Sequence, residues 1–241
     1  MTTQEAASSP RSLARIGGFL YLVIILGGLF APFAVAPTGM MLGESALPTV
    51  ATILSSKPRY VLGGVAQLFV YSCDVGVALI LYELLRPVCR SVALAAALFR
   101  LVFVAVAAAN MINHFAPLIF LSGANYLGAF NSVQLQSLAI SFLRLRTFGF
   151  DVALVFFGLH WILAGYLIFK STFFPRILGI VLVIGGVGYL LNIGATAIPL
   201  DYALHLFPYV MLPAGLAEIS LTLWLIIKGV DIGRWNQVND G

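Results

Sequence analysis

The sequence predicts an all-α integral membrane protein, a helical bundle of about six transmembrane helices. Of its 241 residues, 61% are hydrophobic and only 9% are charged, whereas soluble domains carry ~25% charged residues. Apolar runs recur at the length of ~20 residues that a bilayer crossing requires. Strand alternation is absent from the sequence, which favours helices over the strands of a membrane barrel. We therefore expect the lipid bilayer to surround most of this chain and to be its principal partner.

Six apolar runs are expected to cross the bilayer. They cover residues 16–36, 60–85, 92–115, 147–169, 177–198 and 208–228. The third run extends to residue 121 if its helix continues past Pro117. The first run resembles a signal peptide, but Pro37 directly follows its candidate cleavage site, so we predict that this helix is retained. The transmembrane domain at 14–228 then lies between polar tails at 1–13 and 229–241.

Two long connections separate these runs. Residues 37–59 contain a mildly amphipathic stretch at 45–56, which is expected to lie on the membrane surface. Residues 122–146 contain a second stretch at 132–146, which is either an interfacial helix before the fourth span or an extension of that span. Asn131 or the serine after it is the predicted N-cap of this stretch.

Basic residues are divided unequally between the two sides of the membrane. The connections at 86–91 and 170–176 are short, so the helices that they join are expected to be antiparallel neighbours. Eight basic residues then lie on the side of the N-terminus: Arg11, Arg15, Arg86, Arg90, Lys170, Arg176, Lys228 and Arg234. Four lie on the opposite side: Lys57, Arg59, Arg144 and Arg146. Because basic residues mark the cytoplasmic side, we expect a multi-pass protein of the cell membrane, the inner membrane in bacteria, with both termini cytoplasmic.

The net charge of +4 arises from residues at the membrane edges, so no nucleic-acid partner is expected. The two cysteines, Cys73 and Cys89, are separated by sixteen residues of one predicted helix, or ~24 Å at helical rise. This distance excludes a disulfide within the chain. Cys89 is expected to be a free thiol in a reducing compartment, and acylation at this juxtamembrane position is the alternative.

Small residues predict which helices approach one another closely, because short side chains allow backbone contact in lipid. The third span carries alanines four residues apart, and the fifth span carries Gly179, Gly185, Gly186 and Gly188. On this basis we place the third and fifth spans at the centre of the bundle.

Four ionisable residues lie deep within the apolar runs: Asp74, Arg100, His160 and Glu218. A charge at the centre of a bilayer costs ~2.5–3.5 kcal/mol on insertion scales, so such residues face a protein interior or a wet cavity. Counted along each helix from the side of the N-terminus, they lie ~12–16 Å deep at 1.5 Å per residue. We predict that these residues, from four different helices, meet in one layer near the middle of the membrane.

Other polar residues share helical faces with this layer. They form three stripes at helical spacing: Gln67-Tyr71-Asp74, Tyr189-Asn192-Thr196 and Glu218-Thr222. An internal cavity would explain these stripes, and we add Tyr71 and Asn192 to the candidates for binding a ligand or an ion.

A secondary cluster is predicted at the outer boundary of the membrane, formed by Asn110, His114 and Asp151. Asp151 and His160 are nine residues apart, which is half a turn out of phase, so they cannot face the same cavity on a straight helix. Asp151 is therefore expected to meet one of four residues: Arg144, Arg146, Asn110 or His114.

The polar layer favours a carrier or binding protein for a small polar solute or a proton. In this hypothesis Arg100 anchors an anionic group or holds a carboxylate charged, Asp74 or Glu218 exchanges a proton, and His160 relays it. One alternative is a hydrolase-like intramembrane enzyme, in which His160 and a carboxylate polarise water. Another is a non-catalytic assembly subunit, in which the layer specifies helix packing. We assign no catalytic residue, metal ligand or cofactor, so an enzyme is the less favoured class.

Several short motifs resemble a known family. They are Cys73-Asp74-Val75, Leu81-Tyr82, Leu85-Arg86-Pro87, Phe99-Arg100-Leu101-Val102, Gly149-Phe150-Asp151, Phe157-Gly158-Leu159-His160 and Pro175-Arg176-Ile177-Leu178-Gly179. As a set they resemble the bacterial multi-pass membrane family called domain of unknown function four-three-eight-six, over residues 15–228. The resemblance implies a polytopic membrane protein and assigns no activity and no catalytic residue.

Overall fold

The computed structural model describes the backbone of residues 9–35, 50–195 and 200–239, and the side chains of residues 9–29, 53–194 and 212–239. Within these residues the chain forms eight α-helices and no strand. The helices are α1 (Pro10–Val35), α2 (Val50–Ser55), α3 (Lys57–Leu85), α4 (Arg90–Phe120), α5 (Ser132–Lys170), α6 (Arg176–Ala195), α7 (Leu200–Ile227) and α8 (Ile232–Asn239). Some predicted features lie outside the described residues: Thr196, the candidate cleavage site ending at Ala36, and the first part of the stretch at 45–56.

Six of these helices account for the predicted membrane crossings. α1, α3, α4, α5 and α6 are each long and apolar enough to span a bilayer, and the described side chains of α7 add a shorter apolar segment at Leu212–Ile227. The predicted class, an all-α membrane bundle of about six helices, is confirmed.

Two helices continue beyond the membrane crossings predicted for them. α4 passes Pro117 and ends at Phe120. α5 is one continuous helix of 39 residues, which is ~58 Å at helical rise, so it extends well beyond a hydrocarbon core of ~30 Å. The stretch at 132–146 is therefore an extension of the fourth span. Its first turn is held by a capping box, in which Asn131 Oδ1 accepts from the backbone N–H of Gln134 at 2.9 Å and Gln134 Oε1 accepts from that of Asn131 at 3.0 Å.

The six spanning helices pack in a closed ring. The order around the ring is α1, α3, α4, α5, α6 and α7, and α7 packs against α1. The prediction that the third and fifth spans occupy the centre is wrong. Both α4 and α6 belong to the wall of the ring and expose apolar side chains on its outer surface, such as Leu98 (52%) and Ile184 (52%). Their small residues serve contacts between neighbours in the ring instead.

α5 and α6 make the closest of these contacts through two pairs of glycines. A Cβ atom added at Gly158 would lie 2.8 Å from the carbonyl oxygen of Gly186, and one added at Gly165 would lie 2.7 Å from that of Gly179. The pairs are seven residues apart on both antiparallel helices, so they recur after two turns. Absence of a side chain at these positions allows the two backbones to touch.

The two ends of the chain meet at one end of the bundle, which we call the terminal end. Gly229, which follows α7 with φ 65°, lies against Arg11 at the start of α1. The short helix α8 then packs across this end. Trp235 Nε1 donates to the carbonyl oxygen of Leu84 at 3.0 Å, and Arg234 donates to that of Thr172 at 3.0 Å. These bonds join α8 to the last turn of α3 and to the α5–α6 connection.

Candidate functional site

A buried arginine joins four helices of the ring. Arg100 on α4 has 0% exposure. Its Nε and Nη2 donate to Oδ1 of Asp74 on α3 at 3.0 and 2.5 Å. Its Nη1 donates to the hydroxyl of Tyr21 on α1 and lies 3.1 Å from Nε2 of His160 on α5. All three nitrogens of the guanidinium are therefore bonded within the protein. We call these four residues the Arg100 network.

The contacts of His160 determine which ring nitrogen carries its proton. Nδ1 lies 2.8 Å from the carbonyl oxygen of Ala96, which can only accept, so Nδ1 donates. Nε2 faces Arg100, which can only donate, so Nε2 accepts. His160 is thus a neutral imidazole with both nitrogens engaged. This arrangement disfavours the proton relay that the sequence suggested for it.

Aromatic rings complete the surroundings of the guanidinium. The Cζ atom of Arg100 lies 4.6 Å from the ring centre of Tyr21 and 5.1 Å from that of Phe157. Both distances are in the range of cation–π attraction. Tyr21 was not predicted as a site residue, because a single tyrosine in an apolar run carries no signal that distinguishes it from a packing residue.

A cavity of about 630 Å³ lies within the ring of helices. All six spanning helices contribute to its lining. Its polar lining residues include Gln67, Tyr71, Asp74, Asp151, Tyr189 and Glu218. The predicted stripe from Gln67 to Asp74 therefore faces one cavity along its length, whereas Arg100 and His160 lie behind the cavity wall. Of the four residues in the predicted layer, two line the cavity and two hold the wall together.

Glu218 is the member of the layer that stands apart from the Arg100 network. It interacts electrostatically with both Arg100 and Asp74, so all four predicted residues lie in one region of the bundle. Among the described residues, however, no hydrogen-bond donor and no ion-pair partner contacts its carboxylate. Thr222, one turn further along α7, is buried, and its hydroxyl also finds no hydrogen-bond partner in the described part of the chain.

The predicted outer cluster is divided between two sets of contacts. Asp151 accepts a hydrogen bond from Asn192 at 3.0 Å, not from the arginines, asparagine or histidine that were expected. The reason is that Asp151 lies on the face of α5 that packs against α6, which carries Asn192. Asp151 also lines the cavity, and His160 does not, as their half-turn offset requires.

Asn110 and His114 instead connect α4 to its neighbours. Asn110 donates to the carbonyl oxygen of Arg146 at 2.7 Å. The ring of His114 stacks on that of Tyr60, with centroids 4.3 Å apart. The hydroxyl of Tyr60 donates to the His114 carbonyl oxygen at 2.5 Å. These contacts fix the outer part of α4 against α5 and α3.

The described part of the chain contains no set of side chains that could bind a metal ion. Three histidine, cysteine, aspartate or glutamate side chains do not come together there in a group that could hold an ion. His160 in particular has no free ring nitrogen, because both are hydrogen-bonded.

The fold and the cavity together define a polytopic helical membrane protein whose largely apolar cavity contains carboxylates. Residues 16–229 match the family described as Domain of unknown function (DUF4386), and the chain belongs to that family. It is also similar to an uncharacterized protein of Archaeoglobus fulgidus, with 29% identity over 182 residues that cover 73% of this chain and 89% of the relative. No solved structure matches the chain. The motifs around Asp74, Arg100 and His160 thus lie within the residues that match the family.

Proposed function

We propose that the protein is a carrier or binding protein for a small solute, and that the solute occupies the cavity inside the ring of helices. The cavity carries this proposal. Its volume of about 630 Å³ lies within the range of ~300–1,000 Å³ that is typical of small-molecule sites. Asp74 and Glu218 line it. Ionisable side chains are unfavourable in free energy within a membrane span, so those that occur there usually belong to a functional site.

The Arg100 network and the cavity have separate roles in this proposal. The bonds of Arg100 to Tyr21, Asp74 and His160 fix α1, α3, α4 and α5 relative to one another. Of these four residues, only Asp74 lines the cavity. Glu218 lies beside it without a hydrogen-bond donor from the described residues. Because an unpaired charge is unfavourable in an apolar interior, Glu218 is the residue that would take up a proton or a cation.

We propose further that the protein lies in the cell membrane with its terminal end in the cytoplasm. The basis is the excess of basic residues on that side, eight against four, which is the pattern expected for cytoplasmic segments.

Filling the cavity tests the proposal. Gly215 on α7 lines the cavity, and a Cβ atom added there meets no described atom within 4 Å. Gly215→Leu should therefore be accommodated while it occupies the space of the solute. Small solutes would first be screened for those that raise the unfolding temperature of the wild-type protein, since a ligand that binds the folded state stabilises it. We expect Gly215→Leu to abolish that increase.

Gly194→Leu is the matched control. Gly194 on α6 also has open space around an added Cβ atom, but it is exposed and outside the cavity lining. We expect this variant to respond to the solutes as the wild type does. Stabilisation that persists in Gly215→Leu would show that the solutes bind elsewhere. Exchange of the same solutes across proteoliposome membranes then distinguishes a carrier from a binding protein.

A further inference from the structure

The charges that line the cavity are mostly negative. Asp74, Asp151 and Glu218 contribute three carboxylates, and Arg146 contributes the one guanidinium among the described lining residues. The guanidinium of Arg100, which is bonded to Asp74, is fully buried, and all three of its nitrogens form hydrogen bonds within the protein. A solute beside Asp74 and Glu218 therefore meets carboxylates, and the guanidinium of Arg100 is shielded from it. This reverses the preference for an anionic group that Arg100 suggested from the sequence.

Two of these carboxylates retain oxygens that could accept hydrogen bonds from a ligand. Asp74 is 3% exposed, yet both of the bonds from Arg100 go to its Oδ1. Glu218 forms no hydrogen bond and no ion pair with any described residue, although it interacts electrostatically with Arg100 and, less strongly, with Asp74. Asp74 is buried and Glu218 is half-buried, and carboxylate oxygens in an apolar interior are normally paired. A cationic donor beside Asp74 and Glu218 would supply the partner that the described residues do not.

The remainder of the cavity wall suits an organic molecule better than a bare ion. Aromatic rings of Phe103, Phe150, Phe157, Tyr71 and Tyr189 line it. Such rings provide apolar contact for a hydrocarbon body and an attractive face for an ammonium group. A metal ion or a proton alone would leave most of the about 630 Å³ unfilled.

The cavity also approaches the outer surface of the bundle between α1 and α7. Leu29 and Ile219 line it, and they are 50% and 48% exposed. Gly28, between these helices, has no described atom within 4 Å of an added Cβ. A molecule with an apolar part can therefore contact both the lipid-facing surface and the cavity at this place.

We propose that the cavity binds an amphipathic organic cation, with its ammonium group beside Asp74 and Glu218 and its apolar part against the aromatic residues. This inference rests on the proposed function, because it names the chemical class of the solute that occupies the same cavity.

Three probes of one shape and different charge test it: 2-phenylethylammonium, 2-phenylethanol and phenylacetate. Binding would be measured by calorimetry on the full chain in nanodiscs of neutral phosphatidylcholine, with empty nanodiscs subtracted. We expect the ammonium compound to bind about tenfold or more tightly than the alcohol, the usual effect of a charged hydrogen bond. Phenylacetate should bind most weakly of the three.

Glu218→Gln should reduce the affinity for the ammonium compound about tenfold and leave the affinity for the alcohol unchanged. Glu83→Gln is the matched control, because Glu83 is exposed at the terminal end and paired with Arg86 at 3.0 Å. It should bind all three probes as the wild type does.

The outcomes separate this inference from the proposed function. If the alcohol or phenylacetate binds as tightly as the ammonium compound and Gly215→Leu abolishes that binding, the cavity is a solute site and the preference for cations is overturned. An unchanged ammonium affinity in Glu218→Gln overturns that preference as well. If none of the probes binds, the inference is overturned, and the solute screen with Gly215→Leu alone decides the proposed function. If Gly215→Leu binds all the probes normally, they bind outside the cavity and the inference is overturned as well.

Discussion

At the scale of single residues, the central feature is an arginine that is buried in a membrane protein yet surrounded by partners. Burial of an isolated charge is very unfavourable, and burial of a paired and hydrogen-bonded one is tolerated. Asp74 supplies the opposite charge, Tyr21 and His160 accept further hydrogen bonds, and the rings of Tyr21 and Phe157 cover the guanidinium. The pair with Asp74 should therefore determine whether Arg100 is tolerated at all.

Asp74→Asn tests this dependence. The substitution removes the countercharge while Arg100 remains buried, so we expect the free energy of unfolding to fall by about 3–5 kcal/mol. It would be measured by denaturant titration in detergent micelles, followed by circular dichroism. The double variant Asp74→Leu with Arg100→Met should recover much of that loss, because apolar residues of similar volume need no partner.

The control for this measurement is the exposed pair Glu83–Arg86 at the terminal end. Glu83→Gln removes a countercharge in the same way, but in contact with water, so the loss should be below about 1 kcal/mol. Equal stability of Asp74→Asn and the wild type would contradict the view that this carboxylate compensates the buried charge.

At the scale of helices, the pairing of α5 with α6 illustrates how a membrane protein uses glycine. In lipid the hydrophobic effect does not drive helices together, so close packing of backbones contributes more of the stability. Gly158 and Gly165 on α5 meet Gly186 and Gly179 on α6 within the distance at which any side chain would collide. α5 thereby holds α6 in the ring while its other faces contact α4 and the cavity.

Gly158→Ala should disrupt this pairing. The new methyl group would lie 2.8 Å from the carbonyl oxygen of Gly186, a backbone atom that cannot rotate away. We expect a loss of about 1–3 kcal/mol in the free energy of unfolding, the usual cost of overpacking. Gly215→Ala is the control, since its methyl group meets no described atom within 4 Å. A Gly158→Ala variant as stable as this control would indicate that α5 and α6 separate easily.

At the scale of the whole molecule, a ring of six helices encloses a cavity that no single helix defines. The six spans return the chain to its starting side, and α8 closes the terminal end through its bonds to the last turn of α3 and to the α5–α6 connection. The cytoplasmic location that we propose for this end makes a prediction about the accessibility of the two cysteines.

Cys89, at the start of α4, is exposed, and Cys73, within α3, is buried. A membrane-impermeant maleimide should therefore label Cys89 in inside-out vesicles and leave it unlabelled in right-side-out vesicles. Cys89→Ser should abolish the labelling in both preparations, because Cys73 is shielded. Labelling confined to right-side-out vesicles would place the terminal end outside the cell and contradict the proposed orientation.

Much of the architecture could be predicted because the bilayer imposes strict requirements on a sequence. Spanning segments must be long and apolar, and their backbone must be satisfied internally, so composition and run length alone indicate six helices. The continuity of α5 was harder to predict. Its first part is amphipathic, and an interfacial helix and an extended span have the same local pattern.

The amino-acid sequence by itself determined the class of protein and the number of about six spans, and it identified four ionisable residues within the apolar runs, because each follows from the cost of polar groups in lipid. The tertiary structure decided which of these residues line the cavity and which lie behind its wall. The ring order brings Tyr21 to Arg100 and Asn192 to Asp151, turns Asp74 and Glu218 toward the cavity, and leaves Arg100 and His160 behind its wall. Depth along a helix is a property of the chain, whereas the neighbour that each helical face meets depends on which helices pack together.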